Sequence, residues 1–204
     1  MSYGSVMSLI LSGNALLIGD SIRIGYDDYV AALLPGTTVY AVSENCTNSN
    51  YGLQRIDEWL GDRQYDVVCF NFGLHDVDTT LGITPEIYSR NLAQLVDRIQ
   101  QQTKRLIWVQ TTPTGKTSGD RHNDRIKMYN AIARAVMKEN GVEIARLYDY
   151  IRPFTPAVWS ADLVHFKTEG YKRMGAFMAV TIRGGRCFSF WWQSFIANLY
   201  WTRL

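Results

Sequence analysis

Cysteine and net charge are both scarce in this 204-residue sequence. Its three cysteines, Cys46, Cys69 and Cys187, are far apart, so they resemble neither a zinc site nor a disulfide framework. Cys69 lies in an apolar run of strand-like composition, where a free thiol behaves as a small hydrophobe. We therefore expect reduced cysteines and a protein that needs no metal or other cofactor.

The charge is nearly balanced, because 21 lysines and arginines stand against 19 aspartates and glutamates. No long basic run is present that could follow a phosphate backbone or an anionic membrane surface. The sequence therefore argues against nucleic acid as a partner. An apolar stretch at residues 5–11 has no Lys or Arg before it, which argues against a signal peptide and predicts a cytoplasmic location.

What the sequence does contain is an alternation of short apolar runs and longer amphipathic segments. This is the pattern of βα units that wind a parallel sheet. It predicts five strands, at residues 15–18, 38–42, 66–72, 105–111 and 142–146. It also predicts five helices, at residues 22–34, 54–60, 85–102, 123–140 and 167–182. Right-handed crossovers then give an α/β fold, a three-layer αβα sandwich around a parallel five-stranded sheet.

Length and composition favour a single core. With 47% hydrophobic and 20% charged residues, 204 residues are too few for two comfortable domains. We assign residues 1–183 to one domain and residues 184–204 to a tail rich in aromatic side chains. Polar residues interrupt this tail too often for it to span a membrane. Packing on the domain, a homodimer contact and an interfacial membrane anchor remain open as its role.

A serine stands where the first strand gives way to the first helix. In an open parallel sheet, ligands bind outside the carboxyl ends of the strands. The first strand leads directly into Gly19, Asp20 and Ser21, which places the Ser21 hydroxyl at that edge. The helix N-terminus there offers free N–H groups and partial positive charge to an oxyanion. Ser21 is therefore a candidate nucleophile that needs a neighbouring base, although serine is also a common helix N-cap.

The base is predicted near the other end of the chain. Asp162 and His165 lie three residues apart in a loop just before the last helix. In a turn, this spacing lets the carboxylate hold one imidazole nitrogen while the other takes the serine proton. The alternative is an aspartate that caps a turn beside a half-buried histidine.

A third polar group follows the strand at residues 66–72. The motif Gly-Leu-His-Asp occupies residues 73–76. Asn71 precedes it, and its side-chain amide is expected either to orient the loop or to donate into the site. The three segments thus point to the same edge of the sheet.

Together these motifs resemble the SGNH/GDSL hydrolase family, in their order as well as their residues. The resemblance spans roughly residues 14–182. It implies a flavodoxin-like αβα fold, a triad of Ser21, His165 and Asp162, and an oxyanion hole built from three donors. Ser21 would supply both the nucleophile and one backbone N–H.

Two positions depart from the family pattern. The family usually has asparagine as an oxyanion donor where this sequence has His75, and a neutral imidazole donates only with its proton on the correct nitrogen. The family's second donor is usually a glycine amide after the second strand, but residues 43–49 contain no glycine. Counting back from Gly52 puts Thr47, or else Cys46, at that place, and a β-branched residue there restricts the turn.

These residues predict a serine esterase that acts on a small-molecule ester. No lid or acyl-binding insertion is evident, so a short acyl group such as acetyl is favoured, and carbohydrate esters are common substrates in families that this one resembles. Two alternatives remain. One is a hydrolase or acyltransferase directed at lipids or thioesters, and the other is a non-catalytic binding domain. A hydrolytic metal site is a further alternative, but it leaves Ser21 without a role. Its ligands would be His75, Asp76, Asp162 and His165.

Overall fold

Five parallel strands form the centre of the molecule in a computed structural model, which describes residues 13–184. The strands are β1 (Gly13–Ile18), β2 (Thr37–Ala41), β3 (Val67–Phe70), β4 (Leu106–Val109) and β5 (Glu143–Ala145). Their order across the sheet is β2-β1-β3-β4-β5, and every neighbouring pair is parallel. This is the strand order of flavodoxin-like sheets, so the predicted sheet is confirmed.

Helices cover both faces of this sheet. They are α1 (Ser21–Leu33), α2 (Ser49–Leu60), α3 (Pro85–Gln100), α4 (Asn123–Glu139), α5 (Leu147–Ile151) and α6 (Thr168–Ile182). The crossover from β1 to β2 runs opposite to all later ones, so right-handed connections put α1 on one face and α2, α3 and α4 on the other. Accordingly, α1 packs on α6, while α3 packs between α2 and α4. The predicted three-layer sandwich is confirmed.

Apolar periodicity explains why these segments fold as they do. Every residue of β3 and β4 is buried, as expected for the centre of a parallel sheet covered on both faces. Helix α3 buries one apolar stripe against the sheet and the neighbouring helices, formed by Tyr88, Leu92, Leu95, Val96 and Ile99. Its start is fixed by the Thr84 hydroxyl, which accepts from the Ile87 amide, and by Pro85 in the first turn.

The structure departs from the sequence-based expectations mainly at element ends. Helix α2 begins at Ser49, five residues earlier than predicted, because Asn48 caps a polar first turn by accepting from the Tyr51 amide. Strands β3 and β4 end two residues before the predicted ends, at Phe70 and Val109. Helix α5 was not predicted. Neither were two short 3₁₀ turns, Thr79–Leu81 and Arg152–Phe154.

Two predictions concern residues outside the described range. The tail at residues 184–204 falls outside it except for Gly184, and so does the apolar stretch at residues 5–11. Within residues 13–184, no helix has both the length and the apolar composition that crossing a bilayer requires.

A buried carboxyl group joins the loop after β3 to the start of α2. Asp76 is fully buried, and its Oδ1 accepts from the Ser49 amide at 2.8 Å. Burial raises the pKa of Asp76 to about 6, although hydrogen bonds from Ser49 oppose the shift. The native state therefore binds this proton more tightly than the unfolded chain does. The stabilisation that comes from this bound proton is fully present below about pH 4 and is lost as the pH rises through about 6.

Replacing Asp76 by asparagine should remove this pH dependence. We expect the free energy of unfolding of the wild type minus that of Asp76→Asn to fall by roughly 2.5 kcal/mol between pH 4 and pH 8, because the pKa of Asp76 is about 6 in the native state and has its ordinary value in the unfolded chain. Urea unfolding followed by circular dichroism at several pH values measures this difference. The contributions of most other titrating groups are the same in both proteins and cancel in the subtraction.

Asp78 supplies the matched control in the same loop. Its carboxylate accepts from the Thr80 hydroxyl and amide, and these hydrogen bonds lower the pKa of Asp78. The corresponding difference for Asp78→Asn should therefore rise with pH through the acid range instead of falling. A difference for Asp76→Asn that stays flat with pH would contradict the buried, proton-retaining carboxyl described here.

Candidate active site

The carboxyl edge of the sheet brings the predicted motifs together. Ser21 is the first residue of α1, directly beyond β1, and His165 lies in the loop that leads into α6. Because α6 packs against α1, Ser21 Oγ and His165 Nε2 lie 2.8 Å apart across 144 residues of sequence. The hydroxyl and the imidazole are thus in direct hydrogen-bond contact.

The N-cap of α1 is Asp20, and Ser21 takes the next position. The Asp20 carboxylate accepts from the Ile22 amide at 2.9 Å. Ser21 is therefore not needed as a cap, and its side chain is left to His165. Burial raises the pKa of Asp20, against the hydrogen bond from Ile22 and the charge of Arg23.

A buried arginine fixes the turn that carries Ser21. Arg23 Nη2 donates to the carbonyls of Gly19 and Glu44, at 3.3 and 2.9 Å. Its Nη1 forms an ion pair with Asp27 at 2.7 Å. The side chain is only 3% exposed, so these contacts hold the turn and the segment after β2 from within the protein. Arg23 could not be predicted as part of this site, because nothing in its spacing along the sequence marks it as buried.

Asp162 holds His165 in a tight turn. Its Oδ2 contacts His165 Nδ1 at 2.5 Å, while its Oδ1 accepts from the amides of Val164 and His165 and from the Ser160 hydroxyl. Leu163, with φ of 60°, closes the turn in the left-handed region. Although desolvation opposes it, this set of donors holds the pKa of Asp162 well below its usual range. An ionised Asp162 accepts only, so the proton is on His165 Nδ1 and Nε2 is free to accept from Ser21.

His75 lies in the same region of the edge but is held by a different partner. Arg121 Nη2 lies 3.3 Å from His75 Nδ1. Burial, the charge of Arg121 and the nearby His165 lower the pKa of His75 to about 4, against the charge of Asp78. His75 is therefore neutral near pH 7. Arg121 lies in no recognisable motif, so its contact with His75 could not be predicted from the sequence.

The segment after β2 places Thr47 in an unusual conformation. Thr47 has φ of 45°, in the left-handed region that favours glycine, which matches the place where the family usually has one. Its amide donates to Asn45 Oδ1 at 3.0 Å. The amide of Cys46, the alternative donor, is bound to the Gly19 carbonyl at 3.1 Å, and Cys46 is fully buried.

Asn71 orients the loop and does not donate into the site. Its Nδ2 donates to the Val109 carbonyl at 2.7 Å and lies 3.4 Å from Thr111 Oγ1. Both N–H groups are thus directed at the end of β4, which favours the first of the two roles left open for Asn71, orientation of the loop, over donation into the site. The side chain instead ties the ends of two neighbouring strands together.

The residues weighed as metal ligands do not gather around one point. Asp76 faces the start of α2, and Asp162 is engaged with its own turn. Within the described part of the chain, no group of three or more His, Cys, Asp and Glu side chains could hold a metal ion. The side chains that do meet are a serine, an imidazole and a carboxylate.

Comparison with known families places this chain in one of them. The model of the GDSL-like lipase/acylhydrolase family matches residues 17–173, which is more than three quarters of the chain. The chain belongs to this family. This GDSL-family protein is therefore a carboxylic ester hydrolase. No curated protein sequence matches it.

Solved structures share the fold of this GDSL-family hydrolase at low sequence identity. The lipase/acylhydrolase from Enterococcus faecalis is 24% identical, with a TM-score of 0.72 over 84% of this chain and 96% of the other. The acetylxylan esterase from Geobacillus stearothermophilus is 19% identical, with a TM-score of 0.69 over 84% and 94%. An α/β hydrolase from the metagenome of Lake Arreo, Spain, is also 19% identical, with a TM-score of 0.69 over 84% and 95%.

The backbone at Thr47 gives a testable prediction for this hydrolase. A β-branched residue at positive φ is strained, and glycine removes that strain at some cost in unfolded-chain entropy. We expect Thr47→Gly to raise the free energy of unfolding by about 1 kcal/mol. Thr47→Ala keeps the Cβ and should give no such gain. Equal gains from both variants, measured by urea unfolding, would mean that the strain is not in the backbone.

Proposed function

We propose that this hydrolase removes short acyl groups, such as acetyl groups of carbohydrate esters, through an acyl-enzyme on Ser21. One observation carries the proposal: hydrogen bonds run without a break from Ser21 Oγ through His165 to Asp162, with 2.8 Å between Ser21 Oγ and His165 Nε2. A hydroxyl, an imidazole and a carboxylate in this order are the constellation of serine acyl-transfer enzymes.

In the acylation step, Ser21 Oγ attacks the ester carbonyl carbon, and His165 Nε2 takes the hydroxyl proton. The carbonyl π electrons move to oxygen and form a tetrahedral oxyanion. When this intermediate collapses, the bond to the alcohol oxygen breaks and His165 returns the proton to the leaving alcohol. Asp162 stays ionised and stabilises the imidazolium formed in between.

In the deacylation step, water takes the place of the alcohol. His165 Nε2 removes a proton from the water as its oxygen attacks the acyl-enzyme carbonyl. The second tetrahedral intermediate then releases the carboxylic acid, and the proton passes from His165 back to Ser21 Oγ. His165 is 41% exposed at its side chain, which is consistent with access for water and for a bulky polar alcohol.

Three donors are proposed to stabilise the oxyanion: the amides of Ser21 and Thr47 and the His75 imidazole. The first N–H groups of a helix have no partner within the helix, which favours a role for the Ser21 amide at the start of α1. Such donors act strongly because they are fixed in place before the charge develops.

The Thr47 amide has to change partner for this role. In the free protein it donates to Asn45 Oδ1, two residues away. We propose that the developing oxyanion takes over this N–H, because a charged acceptor binds an amide more strongly than a carboxamide oxygen does. Asn45 thus satisfies the amide only while the site holds no substrate.

The acyl preference rests on two further points. The helical segments that follow β3 and β5 at the active edge, Thr79–Leu81, Leu147–Ile151 and Arg152–Phe154, have only three to five residues each and are too short to cover a long acyl chain. The similar fold from Geobacillus stearothermophilus is that of an acetylxylan esterase, and solved catalytic mutants of it include a serine, an aspartate and a histidine three residues after that aspartate. The same three-residue spacing separates Asp162 from His165.

Hydrolysis of 4-nitrophenyl acetate, butyrate and octanoate tests the mechanism and the acyl preference together. We expect Ser21→Ala to lower kcat at least about 1,000-fold. Activity of the wild type should survive a chelator and fall with acyl length. Ser89→Ala, which changes a half-buried serine on α3, is the matched control and should retain full activity.

The other outcomes point to different functions. A preference for octanoate would favour the lipid- or thioester-directed alternative, and release of acetate from acetylated xylooligosaccharides would support the carbohydrate assignment. Substantial activity in Ser21→Ala, or none in correctly folded wild type, would overturn the serine mechanism.

A further inference from the structure

One side chain beside the proposed site contacts His75 without having a role in the triad. Arg121 Nη2 lies 3.3 Å from His75 Nδ1. A guanidinium carries only donors, so Nδ1 must accept, and the proton of the neutral imidazole must be on Nε2. The contact therefore selects one of the two tautomers of the ring. Within residues 13–184, no group accepts a hydrogen bond from His75 Nε2.

Arg121 is itself held in place by the residues around it. Its carbonyl accepts from the Thr114 hydroxyl, which ties the end of the connection between β4 and α4 to its beginning. Next to it, Asp120 Oδ2 accepts from the Thr79 amide and hydroxyl, at 2.8 and 2.6 Å. These contacts fix the backbone from which the guanidinium reaches His75.

A third contact joins the same two segments. Arg125 Nε donates to the Val77 carbonyl at 2.7 Å. Asp120 thus binds Thr79, Arg121 binds His75, and Arg125 binds Val77. The arrangement positions the His75 loop, and only Arg121 within it touches the imidazole.

The surrounding charges also keep the ring neutral. The groups that act on His75 are Arg121 from the connection before α4, Asp78 from its own loop and His165 from the loop before α6. Burial, the charge of Arg121 and the proximity of His165 outweigh Asp78 and lower the pKa of His75 to about 4. The effect of His165 on this pKa also places the two imidazoles within electrostatic range of each other.

A histidine donor needs such a partner, whereas an asparagine donor does not. A carboxamide always has two N–H donors, but a neutral imidazole has one, on either nitrogen. A ring with its proton on Nδ1 presents a lone pair from Nε2, which would repel an oxyanion. A substitution of asparagine by histidine in an oxyanion hole therefore requires a group that fixes the tautomer.

We propose that Arg121 is a positioning residue, which holds His75 as the Nε2–H tautomer so that its imidazole serves as an oxyanion donor. The donor role rests on the proposed function, whereas the tautomer does not. Arg121 acts through His75 and is not expected to touch the substrate.

Nitrogen NMR of the full chain, labelled with ¹⁵N-histidine, tests the tautomer without any need for activity. His75→Asn assigns the His75 signals among the three histidines. We expect a protonated Nε2 and an unprotonated Nδ1 at pH 7, with a titration midpoint near 4. In Arg121→Met the midpoint should rise towards the ordinary value of about 6.5, and the tautomers should mix.

Arg125→Met is the matched control for this measurement. It removes a guanidinium that binds the same loop through Val77 but does not contact the imidazole. The Nε2–H tautomer should persist in it. A wild-type His75 with its proton on Nδ1, or a tautomer shift in Arg125→Met as large as in Arg121→Met, would overturn the proposal.

A double-mutant cycle on 4-nitrophenyl acetate tests the link to catalysis. Arg121→Met should lower kcat roughly 10-fold or more in the wild-type background, since loss of one oxyanion donor costs about 100- to 1,000-fold. In the His75→Asn background the same change should cost much less, because a carboxamide needs no tautomer. Equal losses in both backgrounds would overturn the positioning role.

The two proposals fail in different ways. If the folded wild type hydrolyses no ester while the NMR result is as expected, the proposed function fails and the tautomer assignment stands. If esters are hydrolysed through Ser21 while His75 lacks the Nε2–H form, the present inference fails and the esterase stands.

Discussion

Helices α1 and α6 approach each other at two glycines, and this approach sets the distance between the two halves of the site. A Cβ added at Gly25 would overlap the ring of Tyr171, and one added at Gly175 would overlap the side chain of Tyr29. Ser21 begins α1, and His165 lies three residues before α6. A wider separation of the helices would therefore lengthen the contact between Ser21 Oγ and His165 Nε2, on which the proposed proton transfer depends.

Two histidines at this edge have opposite roles, because their neighbours carry opposite charges. The anionic Asp162 accepts a hydrogen bond from Nδ1–H of His165, which leaves Nε2 as an acceptor for the serine. The cationic Arg121 donates to Nδ1 of His75, which leaves the proton on Nε2. One imidazole is thereby set up as a base and the other as a donor. In the proposed mechanism, the contact at Nδ1 of each ring decides which nitrogen of that ring carries the proton.

Much of the fold and the central contact of the site could be predicted from the sequence, because both depend on local patterns. Apolar periodicity marked every strand and five helices, and the order of the motifs put Ser21 and His165 on one edge. Arg121 could not be predicted, because it meets His75 across 46 residues through a connection with no regular periodicity. The choice between the two roles of Asn71 could not be made from the sequence for a related reason, because its side chain is oriented by the Val109 carbonyl on the next strand.

Backbone irregularity is concentrated where the chemistry is proposed. Within residues 13–184, Thr47 and Leu163 are the two non-glycine residues with positive φ, at 45° and 60°. Leu163 turns the chain so that Asp162 reaches the His165 amide as well as its ring, and Thr47 presents the amide that Asn45 now holds. A regular backbone conformation at either position would be locally more stable, but it would turn the Asp162 carboxylate or the Thr47 amide away from its present partner. The surrounding sheet and helices therefore have to supply the stability that the two strained turns lose.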